Sequence, residues 1–242
     1  MVKAAMGRER GSEGPGAERT YRSFLGRMLL ERGSISEQQL QEAVERRERV
    51  AEATGEAIRL EEWLLNSGLL SETALTRAIS AQWNCPVFSL SETHPEEMTS
   101  AFPPFLSEAL GALPVRISAG KLLYLAFFER IDRSLSYAVE RITGLRVTTG
   151  IAREGEFRRE QAQFLSGRAP KVRFLEAEDR GALADGLAAF LEQQRPIDAR
   201  LVRVHELWWL RIWRREPRVR ALPECEAVED LLATGGGGSG GH

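Results

Sequence analysis

The chain has 242 residues and a mass of 27.0 kDa, enough for one large domain or two of ordinary size. Apolar residues make up 43% and charged residues 28%, close to the average of soluble globular proteins, which excludes disorder along the whole chain. The formal net charge of −2 argues against a dedicated nucleic-acid-binding protein, and two distant cysteines exclude a disulfide framework or a cysteine metal cluster.

Signals for membranes, secretion and catalysis are missing from the sequence. No apolar run is long enough to cross a bilayer, and the N-terminus lacks the apolar core of a signal peptide. The three histidines have no partner at metal-ligand spacing, and the motifs H-E-x-x-H, G-x-S-x-G, C-x-x-C and G-x-x-x-x-G-K-[ST] are absent. We therefore expect a cytoplasmic protein that is not an enzyme and holds no resident metal or cofactor.

An internal repeat organises the front of the chain. Residues 24–47 and 59–82 align without a gap at a shift of 35 positions, and such self-similarity indicates a repeated supersecondary unit. Two further pairs, Ile35/Leu70 and Val44/Ile79, are conservative. The identical pairs are Leu25/Leu60, Leu29/Leu64, Leu30/Leu65, Gly33/Gly68, Ser36/Ser71, Glu37/Glu72, Leu40/Leu75 and Ala43/Ala78.

Each repeat is predicted to form a helix, a turn and a second helix. Gly33 and Gly68 are placed to supply the left-handed residue that ends the first helix. Ser36 is predicted to cap the second helix and forms a capping box with Gln39, whereas Ser71 caps without that second half. Apolar residues recur every three or four positions in each helix, so the repeats should pack stripe against stripe in one small bundle.

The double motif resembles the MshE-type N-terminal domain of the assembly ATPases of type II secretion and type IV pili. That family carries two consecutive R-L-G-x-x-L-x-x-x-G-x-[LI]-x-x-x-x-L-x-x-x-x-x-x-Q motifs, and members that keep both bind the bacterial messenger cyclic di-GMP. Three later segments, 85–90, 112–128 and 137–147, resemble the family's continuation. The resemblance covers about residues 21–167.

This resemblance implies a regulatory ligand and a set of residues that would bind it. Phe24 replaces the first motif's arginine, Arg47 its glutamine, and Glu61 the second motif's glycine. Loss of an arginine and gain of a carboxylate both weaken binding of a dianion. Two interpretations stay open: cyclic di-GMP binds, or these positions serve packing only. The implied ligand-binding residues are Leu25, Gly26, Leu29, Gly33, Leu40, Arg47, Arg59, Leu60, Leu64, Gly68, Leu75 and Gln82.

The middle of the chain predicts a small α+β subdomain. Residues 113–117 and 122–128 are rich in strand-forming residues and are separated by a hairpin signal. A helix with apolar residues at 135, 138, 139 and 142 should end at Gly144, followed by a strand over 145–149 and a closing helix over 157–164. The predicted fold class is therefore α+β.

The C-terminal part predicts a further small α+β module. A helix is expected over 181–194, and residues 201–205 and 208–213 favour a β-hairpin, with one continuous helix as the alternative. The predicted organisation is a disordered segment 1–20, a domain 21–167 (repeat pair 21–83, α+β subdomain 84–167), a module 168–234 and a flexible Gly/Ser tail 235–242.

Residues 195–220, which include the predicted hairpin, carry eight arginines together with three tryptophans. These side chains would make a hot spot for a protein partner, formed by Trp208, Trp209, Arg211 and Trp213. Stacking on nucleic acid or lying on an anionic membrane is the alternative. Tryptophans packing one face while arginines solvate the other is a third interpretation. Four acidic residues follow and would neutralise the arginines within the chain: Glu224, Glu226, Glu229 and Asp230.

These observations predict a non-catalytic adaptor or regulator. It would bind a protein of a secretion, pilus or motility machinery, with cyclic di-GMP as a regulatory ligand. The assembly ATPases need a motor domain with a phosphate loop, and the residues after Gly167 are too few for it. We therefore expect no ATPase activity from these residues.

Overall fold

The computed structural model describes residues 25–55, 59–91, 93–118, 121–217 and 221–235. Within them the chain has the predicted α+β fold, with helices at the N-terminal side and two small sheets. The predicted disordered segment 1–20, Phe24 and residues 236–242 of the predicted tail lie outside the described residues. Gly235 does not begin a tail, since it is the last residue of a strand.

The two repeats form helix–turn–helix units. Gly33 and Gly68 have φ angles of 62° and 70°, the left-handed region that favours glycine, and each follows the first helix of its repeat. Ser36 accepts a hydrogen bond from the Gln39 amide and completes the capping box, while Ser71 accepts from a backbone amide alone, as predicted. The helices are α1 (25–31 as described), α2 (Glu37–Thr54), α3 (Leu60–Asn66) and α4 (Glu72–Trp83).

The apolar stripes of the two repeats meet in one core. Leu29 of α1 and Leu64 of α3 are both fully buried in the same hydrophobic cluster. Ile35 and Leu70, which follow the turns, are buried there too. The predicted packing of repeat against repeat is therefore confirmed.

The middle subdomain has a three-stranded sheet of order β1-β2-β3. β1 pairs antiparallel with β2, and β2 pairs parallel with β3. The predicted hairpin, the helix that ends at Gly144, the third strand and the closing helix are all present. A short helix that begins at Pro104 was not predicted. The elements are α5 (Pro104–Leu110), β1 (Ala112–Ile117), β2 (Leu122–Phe127), α6 (Arg133–Thr143), β3 (Arg146–Ile151) and α7 (Glu154–Ser166).

The C-terminal module is a four-stranded sheet of order β4-β7-β6-β5 with one helix. The predicted hairpin is confirmed and the single-helix alternative is wrong, with the turn at His205 and Glu206. The last strand was missed, although it pairs antiparallel with β6 and parallel with β4. The elements are β4 (Lys171–Ala177), α8 (Arg180–Gln194), β5 (Asp198–Val204), β6 (Leu207–Trp213) and β7 (Val228–Gly235).

Strand alternation gives this sheet two buried faces. On one face Leu210 and Ile212 pack with Phe190 of α8. On the other face Trp209 and Trp213 belong to the same core as the helical repeats. Because side chains alternate along a strand, neighbouring residues of β6 serve the two faces in turn.

Two polar contacts join the β5–β6 hairpin to α6 and the loop before it. His205 Nε2 in the hairpin turn donates to Asp132 Oδ2 at 2.6 Å, while Asp132 Oδ1 caps α6 by accepting from the Leu135 amide. Arg200 Nη1 donates to the Ile142 carbonyl oxygen near the end of α6, at 2.8 Å. The C-terminal sheet therefore lies against the end of α6 and its preceding loop.

Candidate ligand site in the helical repeats

Most apolar residues of the predicted ligand set lie in the core. Leu40 is half-buried and lies against Gly26, where an added Cβ would come within 3.2 Å of Leu40 Cδ2. Burial gives these residues a packing role, and ligand contact by them stays a prediction. The buried leucines of the motif are Leu25, Leu29, Leu60, Leu64 and Leu75.

Arg47 and Gln82 occupy the same position in the two repeats, and each has a buried polar atom without a partner. Arg47 Nη1 and Gln82 Oε1 make no hydrogen bond with any described residue. The Arg47 side chain is only 12% exposed, and its Nη2 lies 3.9 Å from Glu48 Oε1. An unsatisfied buried polar group costs about 1–3 kcal/mol, so such atoms are rare without a reason.

The indole of Trp83, next to Gln82 at the end of α4, adds a third such atom. Its Nε1–H is buried and donates to no described residue. The end of α4 therefore offers one donor and one acceptor, and the matched position in the first repeat offers a further donor. This residue was not predicted, because a half-buried tryptophan in an amphipathic helix is indistinguishable from a packing residue.

Arg59, the first residue of the second motif, is already paired within the chain. It forms an ion pair with Glu129 in the loop before α6. Burial lowers the pKa of Arg59, but Glu129, with smaller contributions from Glu61 and Glu154, outweighs burial and raises it. The arginine is therefore held charged by carboxylates. No sequence signal pointed to Glu129, which is 70 residues away along the chain.

A surface concavity of about 500 Å³ lies beside α4. It is lined by Arg32 at the end of the first helix, by Arg77 and Ser80 of α4, and by the loop that includes Cys85. Burial raises the pKa of the Cys85 thiol, which keeps it uncharged at neutral pH. The concavity is therefore basic, and it places two arginines beside the helix that carries Gln82.

Three of the four predicted partner-binding residues are buried, so that prediction is wrong for them. Trp209, Arg211 and Trp213 are 0%, 0% and 3% exposed. Arg211 pairs in register with Asp230 of β7, and its Nε and Nη2 each donate to that carboxylate at 2.8 Å. Nη1 also donates to the Ser100 carbonyl oxygen at 2.6 Å. The sheet packs onto the rest of the protein with this face.

The fourth residue, Trp208, is half-buried and lies under the Arg203 guanidinium on the opposite face of the sheet. The acidic residues that follow pair with three of the segment's arginines: Glu224 with Arg215, Glu229 with Arg214 and Asp230 with Arg211. Glu226 and Glu229 also pair with Arg168 and Arg173, which precede the segment. These pairs argue against nucleic acid or an anionic membrane as the ligand of this segment.

Within the described residues, no group of three His, Cys, Asp or Glu side chains could hold a metal ion. None of the helices described is both long and apolar enough to traverse a lipid bilayer.

Solved structures similar to this chain include MshE with cdg, that is, cyclic di-GMP, at 28% sequence identity and a TM-score of 0.42. That likeness covers 58% of this chain and 97% of the other. The N-terminal domain of XpsE is 20% identical with a TM-score of 0.41, covering 59% of this chain and 94% of that chain. A second crystal form of that domain is 19% identical with a TM-score of 0.31, covering 65% of this chain and 99% of that chain. No protein-family model and no curated protein matches the chain.

Proposed function

We propose that this chain is a non-catalytic cytoplasmic adaptor. Its helical repeats bind cyclic di-GMP, and another surface binds a protein partner of a secretion, pilus or motility machinery. The observation that supports ligand binding is that Arg47 Nη1 and Gln82 Oε1, at the same position of the two repeats, both lack a hydrogen-bond partner among the described residues. Because each repeat has an unpaired polar atom at the same position, the pair of repeats suits a ligand with two equivalent halves.

The chemistry of guanine complements these atoms. Its O6 and N7 accept hydrogen bonds, which suits the Arg47 guanidinium. Its N2 amino group donates, which suits the Gln82 carbonyl oxygen. A cyclic dinucleotide with two guanines could therefore satisfy one repeat with each base. The arginines at 32 and 77 that line the neighbouring concavity supply positive charge for phosphate groups.

The pairing of Arg59 with Glu129 opposes binding. A ligand that uses Arg59 has to compete with that carboxylate, and Glu61 adds negative charge nearby. Both effects lower the affinity below that of a site with a free arginine.

Isothermal titration calorimetry with cyclic di-GMP tests the proposal. We expect Arg47→Ala and Gln82→Ala each to weaken binding, Arg47→Ala about ten- to hundredfold, since a hydrogen bond to a charged group contributes about 1.5–3 kcal/mol. The neighbouring Arg46→Ala, whose side chain is exposed and paired with Glu42, is the matched control for the arginine. Gln41→Ala, on the exposed face of α2, is the control for the glutamine.

Cyclic di-AMP supplies a control ligand. Adenine keeps N7 but carries an amino group where guanine carries O6, so one of the two acceptors for Arg47 is lost. Adenine also lacks the N2 amino group that suits Gln82, so binding should be weaker. No heat with cyclic di-GMP at high micromolar concentration would show that the motif positions serve packing only. Equal losses in Arg46→Ala and Arg47→Ala would contradict the assigned site.

A further inference from the structure

Helix α6 exposes a stripe of basic and aromatic side chains. Its inner face is fully buried in the core through Leu135 and Val139. Arg133, Tyr137 and Arg141, spaced four residues apart, lie on the exposed face. Tyr137 is 61% exposed, a large aromatic surface left in water. The stripe spans about 12 Å along the helix axis, at 1.5 Å per residue.

The charge of this stripe is not neutralised within the described part of the chain. Arg130 before the helix and Arg146 after it extend the stripe at either end, and both are exposed. Within the described ranges, the side chains of these two arginines and of Arg133 and Arg141 make no hydrogen bond or ion pair. This contrasts with the arginines of the C-terminal sheet, where carboxylates of the same chain pair with them.

The carboxylates closest in sequence to the stripe are engaged elsewhere. Asp132 binds His205 and caps the helix. Glu140 accepts a hydrogen bond from the Val147 amide at 2.7 Å. Glu129 is paired with Arg59 on the helical repeats. Within the described residues, the stripe therefore presents arginines without a carboxylate partner around an exposed tyrosine, and both residue types are enriched at the centres of protein interfaces.

We infer that the stripe of Arg130, Arg133, Tyr137, Arg141 and Arg146 docks an acidic segment of the protein partner, an inference that rests on the partner half of the proposed function. Arg133 and Arg141 lie about 12 Å apart along the helix axis, so carboxylates two turns apart on a helix, about 11–12 Å, or four residues apart on a strand, about 13 Å, match the arginine spacing. A protein segment fits better than nucleic acid, because a stripe with one aromatic group offers no series of stacking surfaces for successive bases.

Fluorescence anisotropy with a fluorescein-labelled decaglutamate peptide at low ionic strength tests this inference. We expect binding that weakens about tenfold in Arg133→Ala/Arg141→Ala, since two exposed charge contacts are lost, and less in Tyr137→Ala. The double variant Arg27→Ala/Arg180→Ala is the control, because it removes the same charge from exposed positions elsewhere. Binding should also fall as salt is added.

Three outcomes would overturn the inference: no anisotropy change up to about 1 mM peptide, an equal loss in the control variant, or tighter binding of a ten-nucleotide single-stranded DNA that the stripe variant abolishes. The last outcome would assign the stripe to nucleic acid. Calorimetry with cyclic di-GMP on Arg133→Ala/Arg141→Ala keeps the two proposals separate, because ligand binding should be unchanged there even if the peptide does not bind.

Discussion

The helical repeats and the C-terminal sheet each bury an arginine, but the two arginines differ in how many of their hydrogen-bond donors have partners. In the sheet, Arg211 is fully buried, and its guanidinium binds the Asp230 carboxylate with two nitrogens and the Ser100 carbonyl oxygen with the third. In the repeats, Arg47 keeps a buried Nη1 with no hydrogen-bond partner among the described residues. Because its hydrogen bonds are complete, Arg211 stabilises the fold. Arg47 has an unpaired donor, which suits it to bind a ligand.

The comparison also corrects an inference drawn from composition. Arginines interleaved with tryptophans suggested a binding surface, and the leucine-rich repeats suggested either a ligand site or packing. The structure buries the first group in a paired network and leaves polar atoms open in the second. Hydrogen-bond satisfaction distinguishes the two arginines better than residue type does.

The same substitution in the two regions should give the largest contrast. Arg211→Met leaves the Asp230 carboxylate buried and unpaired, and we expect the free energy of unfolding to fall by about 3–5 kcal/mol. Arg47→Met removes a donor that has no partner, so stability should stay within about 1 kcal/mol of the original protein or rise. Urea denaturation followed by circular dichroism measures both.

Arg46→Met, on the exposed face of α2, is the control for the loss of one positive charge. If Arg47→Met costs as much as Arg211→Met, the comparison between the two regions fails, and Arg47 is a structural residue.

A second contrast concerns the pH dependence of the sheet. Glu229 is 2% exposed and lies between Arg173 and Arg214. Burial raises the pKa of Glu229, but Arg214, Arg173 and Lys171 together lower it by more, and the net pKa is below the ordinary value. A carboxylate with a lowered folded-state pKa stabilises the protein above its unfolded pKa of about 4.3, and this contribution is lost as pH falls through the folded value.

Glu229→Gln should therefore cost about 1–3 kcal/mol at neutral pH, and the difference from the original protein should shrink as the pH drops below about 4. Glu226→Gln, which breaks an exposed pair with Arg168, should cost less than about 1 kcal/mol at any pH. Denaturation curves collected across this pH range check both. A constant difference for Glu229→Gln would show that its charge is not what stabilises the sheet.

The smallest expected effect concerns the departures from the repeat motif. Glu61→Gly restores the motif's glycine and removes a carboxylate near Arg59, so cyclic di-GMP should bind about three- to tenfold more tightly. Glycine in α3 should also lower the free energy of unfolding by about 1 kcal/mol. Calorimetry and denaturation measure the two effects separately. Glu62→Gly is the control, because Glu62 is exposed and lies one residue further along the same helix. It should lower the free energy of unfolding by a similar amount without increasing the affinity for cyclic di-GMP.

The repeats were predictable from the sequence because their determinants are local. Gly33 and Gly68 end the first helices since they adopt a left-handed backbone, and Ser36 with Gln39 closes a capping box within three residues. The hairpin at His205 followed from two adjacent runs of strand-forming residues. The unpredicted α5 is one helix of seven residues that begins at a proline pair, too short to show a hydrophobic period.

Contacts between distant segments decided the rest. β7 inserts between β4 and β6, and only its register with β6 brings Asp230 opposite Arg211. Glu129 reaches Arg59 across 70 residues. In each case a charged residue looks solvent-exposed in the sequence, because local periodicity carries no information about which remote charge will lie beside it.

By itself the sequence determined the tandem helical repeats, their caps and turns, the α+β class and the matched positions of Arg47 and Gln82. These features depend on backbone preferences and on spacing within one or two helical turns. Only the tertiary structure decided which arginines are paired, which tryptophans are buried and which helix face stays open. Those outcomes depend on strand register and on the packing of one layer against another, which bring together groups far apart in the chain.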